Sequence, residues 1–349
     1  MLVDKKFIKS EALWLVIPII FCVACLSFAG SSFELVKSSN KTTYLPTNER
    51  RLCLRYLKLV LADRTAKNVL ALMTVPSRDK SIGFRQMSIA INTAGCERTD
   101  FLGPGRGYGM VIIDCLDSRT IFNPRRRTLI ISPSPRQTEN LHHRLHLIDQ
   151  NYRLSLERGV SHGLSIVVIT AKPKNAGLES HKIYIEPKSH FVMRLDLISP
   201  EGKDAMSYET TSLSFPTSLP ANTFSIEIPA SVRTEHFDQP APVPDVASAR
   251  QLLHTEPVVP SHLPMGFEIQ AMYQSRMAKQ TTLGFEITDG LGSASIFEVA
   301  ESRAPEDLRK KLNNHDPMVK RVGGVIVQMY TAIPPRAAIK LLDSWKYSK

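Results

Sequence analysis

Cysteine is scarce and poorly placed for metal chemistry. Five occur in 349 residues, and the single Cys-x-x-Cys spacing, Cys22 to Cys25, lies inside an apolar run near the start. A zinc site needs thiolates or imidazoles clustered at such spacing, so none is expected. Cys53, Cys96 and Cys115 remain, and an odd number leaves one free thiol if the other two pair. Cys96 and Cys115 fall on segments that read as neighbouring strands. Whether they come close enough to bridge is left open by the sequence.

Catalytic constellations are missing as well. Gly103, Gly105, Gly107 and Gly109 alternate with other residues, whereas a dinucleotide loop would need glycine where Tyr108 stands, followed by a helix rather than a strand. The stretch reads as a loop between strands. Ser161-His162 has no glycine-flanked nucleophile elbow around it. Asp114 and Asp117 flank a turn and read as turn caps rather than as an acid–base pair. His142, His143 and His146 form the histidine cluster. His142 and His146 share a helical face, but no acidic third ligand lies in the same turn. No enzyme, cofactor or metal site is expected.

Acidic residues are in deficit: 44 Lys and Arg face 33 Asp and Glu, a net charge of +11. Such a surface suits an anionic partner, whether nucleic acid, anionic lipid or lipopolysaccharide, or an acidic protein segment. Long apolar runs are lacking too. The run from Leu13 to Ala29 spans 17 residues behind Lys5, Lys6 and Lys9, short of the ~20 that a ~30 Å hydrocarbon core demands. With small Ser27 and Ala29 it fits a secretory signal cleaved near Gly30. A retained signal anchor is the alternative, and a lipoprotein-type cleavage at Cys25 is a third. Each exports the remainder, which argues against a cytoplasmic nucleic-acid binder whatever the charge.

What is present is ordinary globular sequence, 43% hydrophobic and 22% charged, without repeats or low-complexity tracts. It is long enough for two domains with a sizeable core each. After residues 1–29, residues 30–48 read as a tether. Leu52, Tyr56, Leu59 and Val60 then recur at helical spacing. From about residue 65 the period becomes two. Phe191, Met193, Leu195 and Leu197 share one strand face, while Val192, Arg194 and Asp196 share a wet one. Pro187-Lys188-Ser189 and Ser199–Gly202 close hairpins on either side. Gly109–Ile113 and Arg127–Ile131 read as further strands. Residues 49–229 therefore form a long meander with a helix or two. Residues 230–262, rich in proline, read as a linker with at most one short helix around Ala247–Leu253. Residues 263–349 alternate strands with helices at Pro305–Leu312 and Pro335–Trp345, and Gly323-Gly324 makes a two-residue hairpin.

One polar feature stands out. Pro124-Arg-Arg-Arg127 sets three guanidiniums, Arg125, Arg126 and Arg127, on or beside a strand, where they could clamp phosphate or carboxylate groups. A strand edge guarded by charge is the plainer account.

Several segments resemble the sigma-E factor regulatory proteins of the RseB/MucB type. Tyr152–Leu156, Ile166–Ile169, Tyr184–Glu186, Met193–Leu195, Gly107–Asp114 and Ile121–Arg125 are similar to that family's first domain. Leu263–Phe267, Asp289-Gly290-Leu291, Ser295–Phe297 and Gly323-Gly324 are similar to its second. The resemblance implies an α+β chain. Its N-terminal domain would be a half-open antiparallel β-barrel wrapped around helices, as in the LolA/LolB lipoprotein carriers, followed by a smaller α+β domain. It also implies a periplasmic or envelope protein, soluble or N-terminally anchored, that binds the periplasmic domain of an anti-sigma factor. Such a negative regulator of the envelope stress response would answer to lipopolysaccharide, lipid or lipoprotein, with Arg125–Arg127 as candidates for anionic headgroups. The alternatives are a lipid or lipoprotein carrier, and an envelope adaptor without a lipid ligand.

Overall fold

The computed structural model describes residues 47–62, 65–76, 84–103, 107–137, 140–277 and 280–346. The signal or anchor segment and most of the tether lie outside them.

Twelve strands make the first sheet. The first meander contains β1 (Val69–Pro76), β2 (Phe84–Ile91), β3 (Glu97–Phe101), β4 (Val111–Cys115), β5 (Ser118–Asn123) and β6 (Thr128–Pro133). A second contains β7 (Tyr152–Ser161), β8 (Leu164–Pro173), β9 (Ser180–Ile185), β10 (Val192–Ile198) and β11 (Asp204–Ser214). A last strand, β12 (Arg233–His236), follows. The order is β12-β6-β5-β4-β3-β2-β1-β11-β10-β9-β8-β7. Neighbours are antiparallel except β12, which runs parallel to β6. The two meanders are joined where β1 meets β11, with Leu70 opposite Ser214. The sheet does not close: β7 and β12 stand at opposite ends.

Helix α1 (Thr47–Leu61) packs on the inner side of this sheet. Its buried face is Cys53, Leu57, Val60 and Leu61. Of the stripe expected from Leu52, Tyr56, Leu59 and Val60, Val60 is buried and Tyr56 packs at the core's margin, while Cys53, Leu57 and Leu61 carry the rest of the buried face. These side chains meet Val69, Met73, Ile89, Ile169, Ile185 and Met193 in one core. Helix α2 (Leu141–Asn151) joins β6 to β7 and starts at Asn140, whose side-chain oxygen accepts from the His143 amide at 3.0 Å.

The hairpin chemistry follows the sequence. Phe191, Met193, Leu195 and Leu197 are all buried on the inner face. The outer face is drier than alternation implied: Asp196 is 5% exposed, bound by Arg194 Nε at 2.8 Å, and Arg194 also reaches Glu209 at 3.5 Å. Asp114 is not a turn cap. It lies buried in β4, where Arg119 Nε and Ser134 Oγ each donate to it at 2.7 Å. Cys96 and Cys115, one step beyond the Glu97–Asp114 pair of β3 and β4, form a disulfide, and Cys53 is a free, buried thiol.

The second sheet holds β13 (Glu268–Met277), β14 (Gln280–Thr288), β15 (Ser293–Ala300), β16 (Val319–Val322) and β17 (Val325–Thr331). Its order is β13-β14-β15-β17-β16, antiparallel throughout. Helices α3 (Val246–Leu253) and α5 (Pro335–Asp343) bury Leu253, Ala338, Leu341 and Leu342 against Phe285, Ile287 and Ile296. Helix α4 (Glu306–Asn313) covers Val299 and Ile326 with Leu308. Trp345, just past α5, is fully buried edge-on to Phe285 with centroids 5.0 Å apart. Its indole N–H donates to Glu298 Oε1 at 2.6 Å, and the Val258 amide donates to Oε2 at 3.0 Å.

The proline-rich stretch holds more structure than one short helix. Beyond α3 it contributes β12, and Val243 and Val258 sit in the second core. Just before it, Arg98 Nη1 holds the carbonyls of Thr223 and Ser225 at 3.0 and 2.9 Å on the outer face of the first sheet.

Candidate functional site at the junction of the two sheets

Helix α2 runs directly into β7, so Arg144, Ile148 and Asn151 emerge on one face at i, i+4 and i+7, followed by Tyr152. That face receives the turn between β14 and β15, Asp289-Gly290-Leu291-Gly292. Asp289 shapes the turn from within: Oδ1 accepts from the amides of Leu291 at 3.0 Å and Gly292 at 2.7 Å. Oδ2 is left for the Tyr152 hydroxyl at 2.8 Å. Arg144 Nε donates to the Gly290 carbonyl at 2.8 Å, and Asn151 Nδ2 donates to the carbonyls of Asp289 at 2.9 Å and Gly266 at 2.8 Å.

Glycine is required at the tip. Gly290 has φ +108°, and a Cβ there would come within 2.7 Å of the Ile148 amide nitrogen. Leu291, 1% exposed, drops into the first core. In the other direction Leu178, from the β8–β9 loop, is buried in the second core.

Burial sets the electrostatics of this junction. It lifts the Asp289 carboxyl above the ordinary range despite donors from Tyr152 and the turn amides. It also raises the Tyr152 phenol well above its ordinary value, with Asp289 adding to the shift. His181, edge-on to Tyr152 at 6.1 Å, is pushed down to about 4, first by burial and then by Arg144, so it is neutral at neutral pH. Glu179 is raised to about 7 by burial, with Glu201 nearby. A cavity of about 40 Å³ remains between Tyr152, Glu179, His181, Leu197 and Ile333, room for a water molecule or so. The hydrogen bonds of Arg144, Asn151 and Tyr152 hold the β14–β15 turn in place. None is a nucleophile next to a base.

The remaining candidate residues are scattered. Arg125, Arg126 and Arg127 sit exposed in the turn between β5 and β6, not on a strand, with Arg127 at φ +50°. Arg125 lies 5.9 Å from the Tyr108 ring centroid. His142 and His146 point outward from α2, and His143 Nε2 is 3.4 Å from Glu268. Among the described residues no group of three His, Cys, Asp or Glu could hold a metal, and no helix is long and apolar enough to cross a membrane. Ser161 Oγ and His162 Nδ1, 3.0 Å apart, belong to the tight β7–β8 hairpin, where His162 and Gly163 both have positive φ. Gly103 and Gly107 flank residues 104–106, which lie outside the described residues. An open groove of about 450 Å³ lies on the outer face of the first sheet between Leu70, Leu72, Arg98 and Thr223.

Arg144, Asn151, Tyr152 and Leu178 escape sequence reasoning, because their partners lie far along the chain. A signal was nonetheless there. Leu291 between two glycines, and Leu178 after Asn175-Ala-Gly, are large apolar residues at turn tips, where water would otherwise meet them.

No protein-family model and no curated protein sequence matches the chain. Solved structures do. A crystal structure of MucB matches over 85% of this chain and 98% of its own, at 14% identity and a TM-score of 0.52. MucB in complex with MucA(peri) matches over 82% and 96%, at 14% identity and a TM-score of 0.54. The Pseudomonas aeruginosa MucA/MucB complex matches over 83% and 96%, at 13% identity and a TM-score of 0.52. At these identities the likeness is one of fold, and the chain has the MucB fold.

Proposed function

We propose that this chain is an exported, non-enzymatic binding protein that holds the periplasmic part of an anti-sigma factor and so acts as a negative regulator of an envelope stress response. One observation carries the reading: the two-sheet architecture matches MucB along nearly its whole length, including MucB in complex with MucA(peri). A simple carrier has no need of the second sheet.

In this reading residues 49–229 are a half-open barrel domain, 230–262 a linker and 263–349 the second domain, behind a signal or anchor at 1–29 and a tether at 30–48. The Cys96–Cys115 disulfide accords with an oxidising, extracytoplasmic compartment. A lipid or lipoprotein ligand would set the partner free. The inner side of the first sheet is filled by Cys53, Leu57, Val60 and Leu61 of α1, so an acyl chain would have to displace that helix. Such a ligand would release the partner only if it favoured the partner-free state.

The test is a crosslinked pull-down of tagged full-length protein from its native envelope, read by mass spectrometry. Recovery of a single-span protein with a cytoplasmic sigma-binding domain is the expected result. Recovery of lipoproteins alone would overturn the regulator reading in favour of a carrier.

A further inference from the structure

Strand β12 is held differently from every other strand of the first sheet. It is short, Arg233–His236, and parallel in an otherwise antiparallel array. None of its four side chains is buried. What fixes it is backbone: the Arg233 amide donates to the Arg127 carbonyl and the Phe237 amide to the Ile131 carbonyl, both at 2.9 Å. Arg233 pairs with Glu235 of the same strand, an ion pair that would leave with it. Phe237, at the strand's end, is 48% exposed.

The edge beneath is of another kind. Strand β6 pairs firmly with β5 from Thr128 to Pro133 and buries Leu129. Without β12 its outer carbonyls and amides would form a template for an added strand. The neighbouring turn carries Arg125, Arg126 and Arg127, all exposed. The resident segment is of the opposite net sign: between Glu227 and Asp238 it holds Glu227, Glu235 and Asp238 against the single Arg233. The chain is anchored on both sides of it, upstream where Arg98 donates to the Ser225 carbonyl and downstream where Pro242 bridges Tyr273, so losing the β12–β6 bonds would leave both anchors in place.

We propose that β12 is a placeholder, and that the β6 edge it covers is where an extended acidic segment of a partner protein adds as a strand, running past Arg125–Arg127. Main-chain hydrogen bonds supply the attachment and the arginines favour acidic sequence. The inference rests on the regulator reading only for the partner's identity. The edge and its charge stand independently of it.

The probe is a fluorescein-labelled acidic peptide, EVTVEVTVE, titrated against the full chain by fluorescence polarisation. Glu235→Pro weakens the resident strand without touching a buried side chain, and should tighten peptide binding about tenfold, equivalent to ~1.4 kcal/mol of resident-strand stability. R125E/R126E/R127E should weaken it at least tenfold. Hydrogen exchange of the unsubstituted protein should show the Arg233 and Phe237 amides losing protection at saturating peptide. Unchanged affinity in Glu235→Pro, or continued protection of both amides, overturns the proposal. It is overturned too if the triple arginine variant loses binding to phosphatidylglycerol vesicles yet keeps its affinity for the peptide, which would mark the turn as a lipid-headgroup site. Peptide binding with the expected variant effects, alongside a pull-down that recovers no single-span partner, would remove the regulator reading and leave the edge site standing.

Discussion

Leu178 and Leu291 cross the junction in opposite directions, each buried in the core of the sheet to which it does not belong. Leu178 leaves the β8–β9 loop and is 5% exposed among the residues of the second core, while Leu291 leaves the β14–β15 turn and is 1% exposed in the first. Each burial contributes roughly 1.5–3 kcal/mol. Neither sheet can leave the other without opening both cores to water.

That reciprocity gives the first prediction. Leu178→Ala and Leu291→Ala should each destabilise the protein by about 2–4 kcal/mol in urea unfolding. The double variant should lose less than the sum, because the second truncation acts on a junction already loosened. Strict additivity would show that the two side chains work independently.

Gly290→Ala should cost more than an ordinary glycine replacement. The new Cβ meets the Ile148 backbone at 2.7 Å, whereas Gly163, also at positive φ, has open space around it. Gly163→Ala should cost about 1 kcal/mol from backbone strain alone. Gly290→Ala should exceed it and also make the β14–β15 turn accessible to limited proteolysis.

Two buried groups give stability opposite slopes with pH. Glu298 is raised by burial to about 7 from an ordinary 4.5. Its folded pKa is the higher, so the folded state binds the proton more tightly. Stability is full below about 4.5 and falls as pH rises through 7, a loss on the order of 3 kcal/mol when the window is crossed. Glu298→Gln should make that limb shallower, with Glu179, raised to about 7 as well, keeping the remainder. His181, lowered from 6.5 to about 4, works the other way: its contribution is present above 6.5 and is lost as pH falls through 4. Chemical denaturation at a series of pH values, followed by the fluorescence of Trp345, which bonds Glu298 directly, should show both limbs.

The disulfide closes a span of 19 residues between Cys96 and Cys115. A double Cys→Ser variant should lose about 3 kcal/mol by the loop-entropy relation, measured as a lowered melting temperature. Reduction of the unsubstituted protein should reproduce it.

Much of this architecture was legible locally. Alternation at Phe191–Leu197, the two-residue turn at Gly323-Gly324, and the proline-started helices near residues 305 and 335 are short-range signals that the fold keeps. What escaped reading depends on distance. Asp114 looked like a turn cap because its partners Arg119 and Ser134 are brought to it by strand pairing. β12 looked like linker because its four residues carry no apolar stripe and take their place from backbone bonds to β6. The junction was half visible: Asp289-Gly290 announced a turn, but nothing local said that the turn was the second sheet's attachment to Tyr152.

The seam between β1 and β11 has a bearing on how the chain reaches this state. Each meander can zip from neighbouring strands, since its pairings are local. Joining them requires Leu70 to find Ser214, across most of the first sheet's sequence, a long loop closure that slows folding. Until β11 is available, β1 is paired with β2 alone, and its other edge stands bare with Val69, Ala71, Met73 and Val75 on the inner face. A chain delivered from its N-terminus thus presents β1 first and its complement β11 much later. In that interval a chaperone that shields unpaired strands would do more for its yield than any added stability of the finished fold.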